Sequence, residues 1–446
     1  MKIVITLCTV FLTLTACQGP KQNSTQTISK VSKSAVEVTI ADVDANRLNQ
    51  AIQPYLDEKR LSGVVAMVAH EGKLIYTSEQ GYADVQKLVP MQQNTLFRLA
   101  SLTKPITSVA TMILVDRGKL ALDDQVSKYL PSFAKLKVYV DESTLEPLET
   151  PVTIRHLLMH TSGLGSGFLG NTPVDLMIRA HDFSKADASL EAFIDELATF
   201  PLVHQPGASF TYGFSTDVLA RIIEVISGQS IEAFMKANIF DPLKMEDTFF
   251  SIPEAKKSRL GPAYTATGEN LKEVVPAGHN PAKYGRGNSG LIATAPDYLR
   301  FAQMLLNGGT LEGVKILSAK TVELMHTDQL PKSIFPISIM GTPILNNGFG
   351  LGFAVVDGNP AEWQPSSEYS VSTMGNLPAT SFYWLGAYND SFWIDPTHDL
   401  IGVVMTQSID VGKIAVFQDF YQALYKGIYG DGNKATFRTQ EGSIRK

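Results

Sequence analysis

Cysteine is nearly absent from this chain of 446 residues: there are two, Cys8 and Cys17, both close to the N-terminus. The rest of the sequence therefore has no internal disulfide, no thiol nucleophile and no cysteine-ligated metal. Charge of one sign is not concentrated either. Lys and Arg number 38 against 44 Asp and Glu, and the net charge is −6. With no basic cluster, a nucleic-acid track is excluded. No glycine-rich loop leads into a Gly-Lys-Ser/Thr triplet, which excludes P-loop phosphate binding. Long hydrophobic runs are missing as well. The stretch at 3–14, IVITLCTVFLTL, has 12 residues, short of the roughly 20 that a spanning helix needs.

That short run is still informative. It follows Met1-Lys2 and ends in Leu14-Thr15-Ala16-Cys17, the pattern of an export signal. It resembles the bacterial lipoprotein signal, in which small residues precede a cysteine that is lipidated and becomes the new N-terminus. The resemblance implies a signal peptide at 1–16 and lipidation at Cys17. It also implies an exported protein anchored to the membrane of a bacterial cell envelope. Gln18 stands where an Asp would retain the protein at the inner membrane, which points to the outer membrane, facing the periplasm. Residues 17–43 are rich in Gln, Ser, Thr and Lys and read as a flexible tether.

The composition, 44% hydrophobic and 18% charged, is that of a globular protein with a large core. A helix pattern at 44–60 precedes GVVAMVAH, a Glu71-Gly72 turn and a second β-rich run, which together predict a hairpin with a covered first strand. Residues 101–117 are apolar nearly all round and predict a buried helix. At 120–131, Asp123-Asp124 suit the cap of a short helix that Pro131 stops. Residues 153–300 are mainly helical in pattern. Strands return as a meander after 380, and a last helix covers about 413–426. The economical architecture is α+β: one antiparallel sheet from 60–80 and 350–407, flanked by helices, with a mainly helical lobe inserted at about 120–300. The domain spans 44–430, and 431–446 form a polar tail. The apolar, Pro/Gly-punctuated segment 331–350 reads as a loop over the site or an edge feature.

The chemistry centres on FRLASLTKP at 97–105. Ser101 and Lys104, at i and i+3, share one face at a helix start. A serine hydroxyl is a poor nucleophile without a base in reach, and a lysine serves as base only where burial or a second cation holds it neutral. Ser-x-x-Lys by itself occurs widely, and its bland reading is a capping serine beside a solvent-facing lysine. The apolar surroundings of Lys104 and the placement of Pro105 in the first turn argue for a site. His156 and His160 are spaced as in a zinc-binding His-Glu-x-x-His motif, but Leu157 replaces the Glu. No metal site is expected, and His160 with the following Thr-Ser-Gly reads as a brace. The histidines at 70, 181, 204, 279, 326 and 398 form no pattern. Met325, Met340, Met374, Phe382, Tyr383 and Trp393 suit either an acyl pocket or the core.

The same segment belongs to a longer resemblance over about 45–425. FRLASLTKPITS at 97–108 is followed by GKLALDDQVSKYLP, TIRHLLMHTSGL and PGASFTYGFSTDVLARIIEVISGQS. IFDPLKMEDTFF, NSGLIATAPDYLRFAQMLLNGG and FYWLGAYNDSFWIDP at 382–396 complete it. These blocks, in this order, resemble the serine β-lactamase and penicillin-binding-protein superfamily, in particular its class C and family VIII carboxylesterase branch. The resemblance implies a β-lactamase/transpeptidase-like fold and a serine hydrolase without a cofactor. Ser101 would be the acylated nucleophile, Lys104 its partner in proton transfer and Tyr212 the proton shuttle to the leaving group. The backbone N–H groups of Ser101 and Ala387, the latter on a strand edge, would form the oxyanion hole. Trp384, Leu385, Gly386, Phe214 and Tyr388 would contact substrate.

Two departures from the family pattern bear on the substrate. Phe214 replaces the Asn of Tyr-x-Asn and cannot hydrogen-bond an amide. Trp384-Leu385-Gly386 replaces Lys-Thr-Gly, so the ammonium that meets a substrate carboxylate is gone. Losing one charge-assisted contact costs roughly 1.5–3 kcal/mol. The expected activity is hydrolysis of small carboxylic esters. The alternatives are a D-alanyl-D-alanine carboxypeptidase or D-amino-acid amidase, a class C-like β-lactamase, or a silent binding or sensor protein of the same fold. The expected partners are a small ester, amide or β-lactam, and a membrane through the lipid. No nucleic acid is expected, and the chain is expected to be a monomer or weak oligomer.

Overall fold

The computed structural model describes residues 44–429 apart from 168, 184–188, 281–282, 340–341, 345–346, 357–376 and 411–413. The expected signal, tether, Cys17 and polar tail, together with Met340 and Met374, lie outside the described residues.

Eight strands form one antiparallel sheet. In chain order they are β1 (Gly63–His70), β2 (Lys73–Asp84), β3 (Val89–Pro90), β4 (Asn347–Phe349), β5 (Ala354–Val356), β6 (Phe382–Leu385), β7 (Ser391–Asp395) and β8 (Leu400–Met405). Their spatial order is β4-β5-β6-β7-β8-β1-β2-β3. The N-terminal and C-terminal strand groups therefore meet where β1 pairs with β8, from Val65 opposite Met405 to His70 opposite Leu400. The β1–β2 hairpin closes through Glu71 and Gly72, both with positive φ, as a two-residue turn between right-twisted strands requires. β1 is buried on both faces, as its unbroken apolar run predicts. Pro90 sits on the outermost strand, where a missing N–H costs no ladder bond.

The helices that matter here are α1 (Ala45–Asp57), α2 (Thr103–Asp116), α3 (Ile154–Leu158), α4 (Ser215–Ser227), α5 (Ala295–Leu306) and α6 (Val416–Tyr429). Alternation along β7 shows how the sheet is covered. Trp393 meets Phe420 and Tyr421 of α6 on one face, and Phe392 meets Tyr298 of α5 on the other. Room for the indole comes from β8: Gly402 lies opposite Trp393, and a Cβ there would stand 2.0 Å from the ring. Met325, Phe382, Tyr383 and Trp393 are at most 2% exposed, so these four are core and not pocket lining. Burying each such side chain contributes about 1.5–3 kcal/mol. Among the described residues no helix is long and apolar enough to cross a membrane.

The inserted lobe departs from the expectation in several places. It carries two hairpins besides its helices, Lys137–Asp141 with Thr144–Pro147 and Ala263–Thr267 with Asn270–Val275. The strand Asn270–Val275 alternates exposed and half-buried positions, a period-2 signal that the surrounding helical pattern masks. Asp124 is not a helix cap. It accepts from Ala121 N–H, Lys128 Nζ and the Tyr129 hydroxyl, and the short 3-10 turn Val126–Lys128 starts at Gln125 with no side-chain cap. Pro131 opens the next 3-10 turn at its first position instead of only ending the previous one. Segment 331–350 contributes a small hairpin, Ile337–Ile339 with Thr342–Ile344, and then the edge strand β4.

Candidate active site

Ser101 stands at a sharp strand-to-helix turn. The short strand Phe97–Arg98 pairs with Ile292–Ala293, and Leu99 N–H continues that pairing to the Leu291 carbonyl at 2.9 Å. The chain then bends through Ala100, whose φ of 40° is left-handed. A residue with a Cβ is strained there by about 1–3 kcal/mol. The bend leads into the 3-10 turn Ala100–Leu102 and on into α2, leaving Ala100 and Ser101 half-buried while Leu102 is packed. Arg98 fixes the approach. Its guanidinium, 3% exposed, donates to the carbonyls of Gly261, Pro276 and His279 and to Gln407 Oε1. Burial lowers its proton affinity to a pKa of about 10.

Lys104 is buried one helical turn on. Its Nζ lies 3.1 Å from Ser101 Oγ and donates to the Asn288 carbonyl at 2.9 Å. No carboxylate pairs with it among the described residues. The same Nζ is 4.6 Å from the centre of the Tyr212 ring, a cation–π distance. The three side chains singled out in the sequence thus converge. Tyr212 is held between two further rings. His160 packs against it at 4.9 Å and Trp384 at 5.3 Å between centroids. Trp384 Nε1 also donates to the Tyr212 hydroxyl oxygen at 3.2 Å. This bond uses one lone pair of the phenol oxygen and leaves its O–H free to donate elsewhere. Gly213 is required beside it, because a Cβ would stand 2.3 Å from the Leu164 carbonyl oxygen.

Among the described residues His160 belongs to no group that could hold a metal ion. It is 1% exposed, with Nδ1 unpartnered among the described residues, and it contacts Phe210 and Phe349 as well as Tyr212. Burial, helped by the nearby Lys104 charge, lowers its pKa to about 3, so it is neutral in ordinary conditions. Its carbonyl accepts from Thr211 N–H at 2.7 Å, so His160 braces the loop that carries Tyr212 directly, as expected of the HTSG turn. Among the described residues no group of three potential ligands could hold a metal ion.

Behind Lys104 lies a support that sequence reasoning missed. Asp217, in the first turn of α4, is fully buried. It accepts from Gly287 and Asn288 N–H at 3.0 and 3.1 Å and from the Arg286 guanidinium at 3.0 Å. The carboxylate therefore aims the Asn288 carbonyl at Lys104. Five positions after Tyr212, Asp217 reads in the sequence as an ordinary first-turn acid.

The strand β6 ends beside the Ser101 turn. Gly386 sits so close to the Ser101 segment that a Cβ there would be 2.8 Å from the Leu99 carbonyl oxygen. Ala387 is not on the strand. It lies exposed in the turn just beyond it, where Asn389 takes a positive φ and Gly386 N–H bonds the Asp390 carbonyl at 2.8 Å. A cavity of about 280 Å³ lies next to this turn, lined among others by Ala100, Tyr284, Ser289, Leu291 and Tyr388 but not by Ser101, Lys104 or Tyr212. Tyr388 thus faces the cavity, and burial raises its pKa. Leu385 is half-buried at the strand end. Phe214 differs from the expectation. It is 6% exposed and packs on Phe193 at 5.3 Å and under Arg286, so it fills the inserted lobe and does not wall the cleft.

The family model described as Beta-lactamase matches residues 48–424. Protein Rv1367c of Mycobacterium tuberculosis is 37% identical over 80% of this chain and 89% of its own length. Esterase EstB of Burkholderia gladioli is 30% identical over 86% of this chain and 95% of its own. Among solved structures, EstCE1, a hydrolase with promiscuous acyltransferase activity, superposes with a TM-score of 0.70 at 25% identity. It covers 87% of this chain and all of its own.

Proposed function

The chain belongs to the Beta-lactamase family and is a serine hydrolase of that fold, and from this premise we propose that it is an esterase acting on small carboxylic esters through an acyl-enzyme at Ser101. Ser101 Oγ attacks the ester carbonyl, and its proton passes through Lys104 and Tyr212 to the departing alkoxide. The alcohol leaves, and water attacks the acyl-enzyme to release the carboxylic acid. The N–H groups of Ser101 and Ala387 receive the oxyanion, and Gly386, Leu385 and Tyr388 border the bound ester. One observation carries the ester preference: the residue beside Tyr212 is Trp384, which donates an indole N–H to the phenol oxygen. An ammonium at that position would attract an anionic substrate. The indole offers no charge to a β-lactam or peptide carboxylate, which forfeits about ten- to a hundredfold in rate on such substrates. The esterase name of EstB supports the same reading.

The test is turnover of p-nitrophenyl acetate beside a chromogenic cephalosporin by the full chain in detergent, with Ser101→Ala as the blank. Ester turnover that vanishes in the variant, with little cephalosporin turnover, is expected. Efficient cephalosporin turnover refutes the ester preference. Lipidation at Cys17 and an outer-membrane location belong to the same proposal, motivated by the LTAC sequence at 14–17. Metabolic labelling with an alkynyl fatty acid that persists in Cys17→Ser would overturn that part.

A further inference from the structure

Asp390 follows the β6 turn and belongs to none of the groups described so far. It is fully buried. Neither carboxyl oxygen makes a hydrogen bond of normal geometry among the described residues, and the backbone N–H groups of Thr406 and of Asp390 itself favour the charged form less than burial disfavours it. An unpaired carboxylate in such a place is prohibitively costly, and the group escapes the cost by keeping its proton. Protonated, it changes from acceptor to donor. The space beside the Gly386 Cα is bounded at once by Asp390 Oδ2 and by the carbonyl oxygen of Leu99, each 2.8 Å from where a Cβ would stand. Leu99 is two residues before Ser101, and Gly386 is one before Ala387.

We propose that Asp390 is a positioning residue: as a neutral acid it donates toward the Leu99 carbonyl and so ties together the two backbone segments whose N–H groups form the oxyanion hole. The surroundings agree. Burial pushes the carboxyl well above the ordinary carboxylate range. The titratable groups that feel a charge on Asp390 are Tyr298, from α5, and Tyr388, from the turn. Tyr298 is spent on the Leu102 carbonyl at 2.9 Å, and Tyr388 has Arg98 as its nearest cation. Neither supplies a positive charge to Asp390. The inference rests on the acyl-enzyme reading for its catalytic consequence and not for the protonation state.

Asp390→Asn restores a donor of the same shape, and Asp390→Leu does not. In the full chain, Asn is expected to keep kcat for p-nitrophenyl acetate within about threefold of wild type, while Leu lowers kcat at least tenfold with KM within about threefold. Thermal melts supply a readout independent of turnover. The unfolded chain releases the Asp390 proton near pH 4 and the folded one holds it, so wild type loses stability relative to Asp390→Asn as pH rises. The Tm gap between them is expected to widen by several degrees from pH 5 to pH 8. A flat gap, an active Leu variant, or an Asn variant as impaired as Leu overturns the inference. If Leu does not fold, the Asn kinetics and the Tm gap decide. Fluorophosphonate labelling of Ser101 separates this from the broader reading. Wild type that does not label refutes the acyl-enzyme and the positioning role together. Wild type that labels, with a flat Tm gap, refutes the role of Asp390 alone.

Discussion

Trp384→Phe is the most incisive perturbation of the site. The substitution keeps an aromatic ring in the stack with Tyr212 and Phe349, whose centroids lie 5.3 and 5.4 Å from the indole. It removes the single N–H that reaches the Tyr212 oxygen at 3.2 Å. If Tyr212 carries growing negative charge as it relays a proton, that bond strengthens toward the transition state. A hydrogen bond to a charged acceptor is worth about 1.5–3 kcal/mol, so kcat should fall about ten- to a hundredfold. KM should move little, because the bond does not touch bound ester. The loss should be confined to the step in which the proton moves, so burst kinetics with p-nitrophenyl acetate would show slowed acylation, slowed deacylation or both. A Trp384→Phe enzyme within threefold of wild type in both phases would refute the link between the indole and the phenol. The converse change, Trp384→Lys, returns an ammonium to the position. It should raise cephalosporin turnover relative to ester turnover, and a lower ratio would contradict the role given to charge there.

Asp217→Ala leaves Arg286, Gly287 N–H and Asn288 N–H without their shared partner. Arg286 is partly exposed, so the cost falls mainly on the two buried N–H groups, about 1–3 kcal/mol each, and kcat should fall with it as the Asn288 carbonyl drifts from Lys104. Equilibrium unfolding and ester assays of the same preparation check both. His160 stays neutral in the fold down to about pH 3, whereas the unfolded chain protonates near pH 6.5. Its contribution to stability is therefore full above pH 6.5 and is lost as pH falls toward 3, by roughly 1.4 kcal/mol per pH unit. Asp297 shifts the other way, with burial raising its pKa to about 6, so the comparison must be wild type against His160→Gln. The variant should be less sensitive to acid between pH 6 and pH 4, and equal sensitivity in urea titrations would contradict the assigned burial cost.

Some of this protein could be read along the chain because the relevant physics is local. Apolar residues on both faces of GVVAMVAH mark a central strand, and the Glu-Gly pair fixes its hairpin. Ser101 and Lys104 are one helical turn apart wherever a helix starts at that point. The meeting of β1 with β8 followed from strands at both ends of the sequence, since unpaired edges must find partners. Other features are set by contacts between distant residues, to which no local pattern points. Phe214 stands two residues after Tyr212, yet its ring is claimed by Phe193 and Arg286 from other elements. Asp217 reads as an ordinary first-turn acid until the fold brings residues 286–288 against it. Trp384 and Tyr212 are 172 positions apart, and only the packing of β6 against the inserted lobe turns an indole N–H toward a phenol oxygen. The sequence by itself determined which residues could do the proposed chemistry, because the serine, the lysine and the helix that carries them are encoded within one turn. The tertiary structure decided which groups tune that chemistry, because burial, charge compensation and hydrogen-bond direction exist only once remote segments share a boundary.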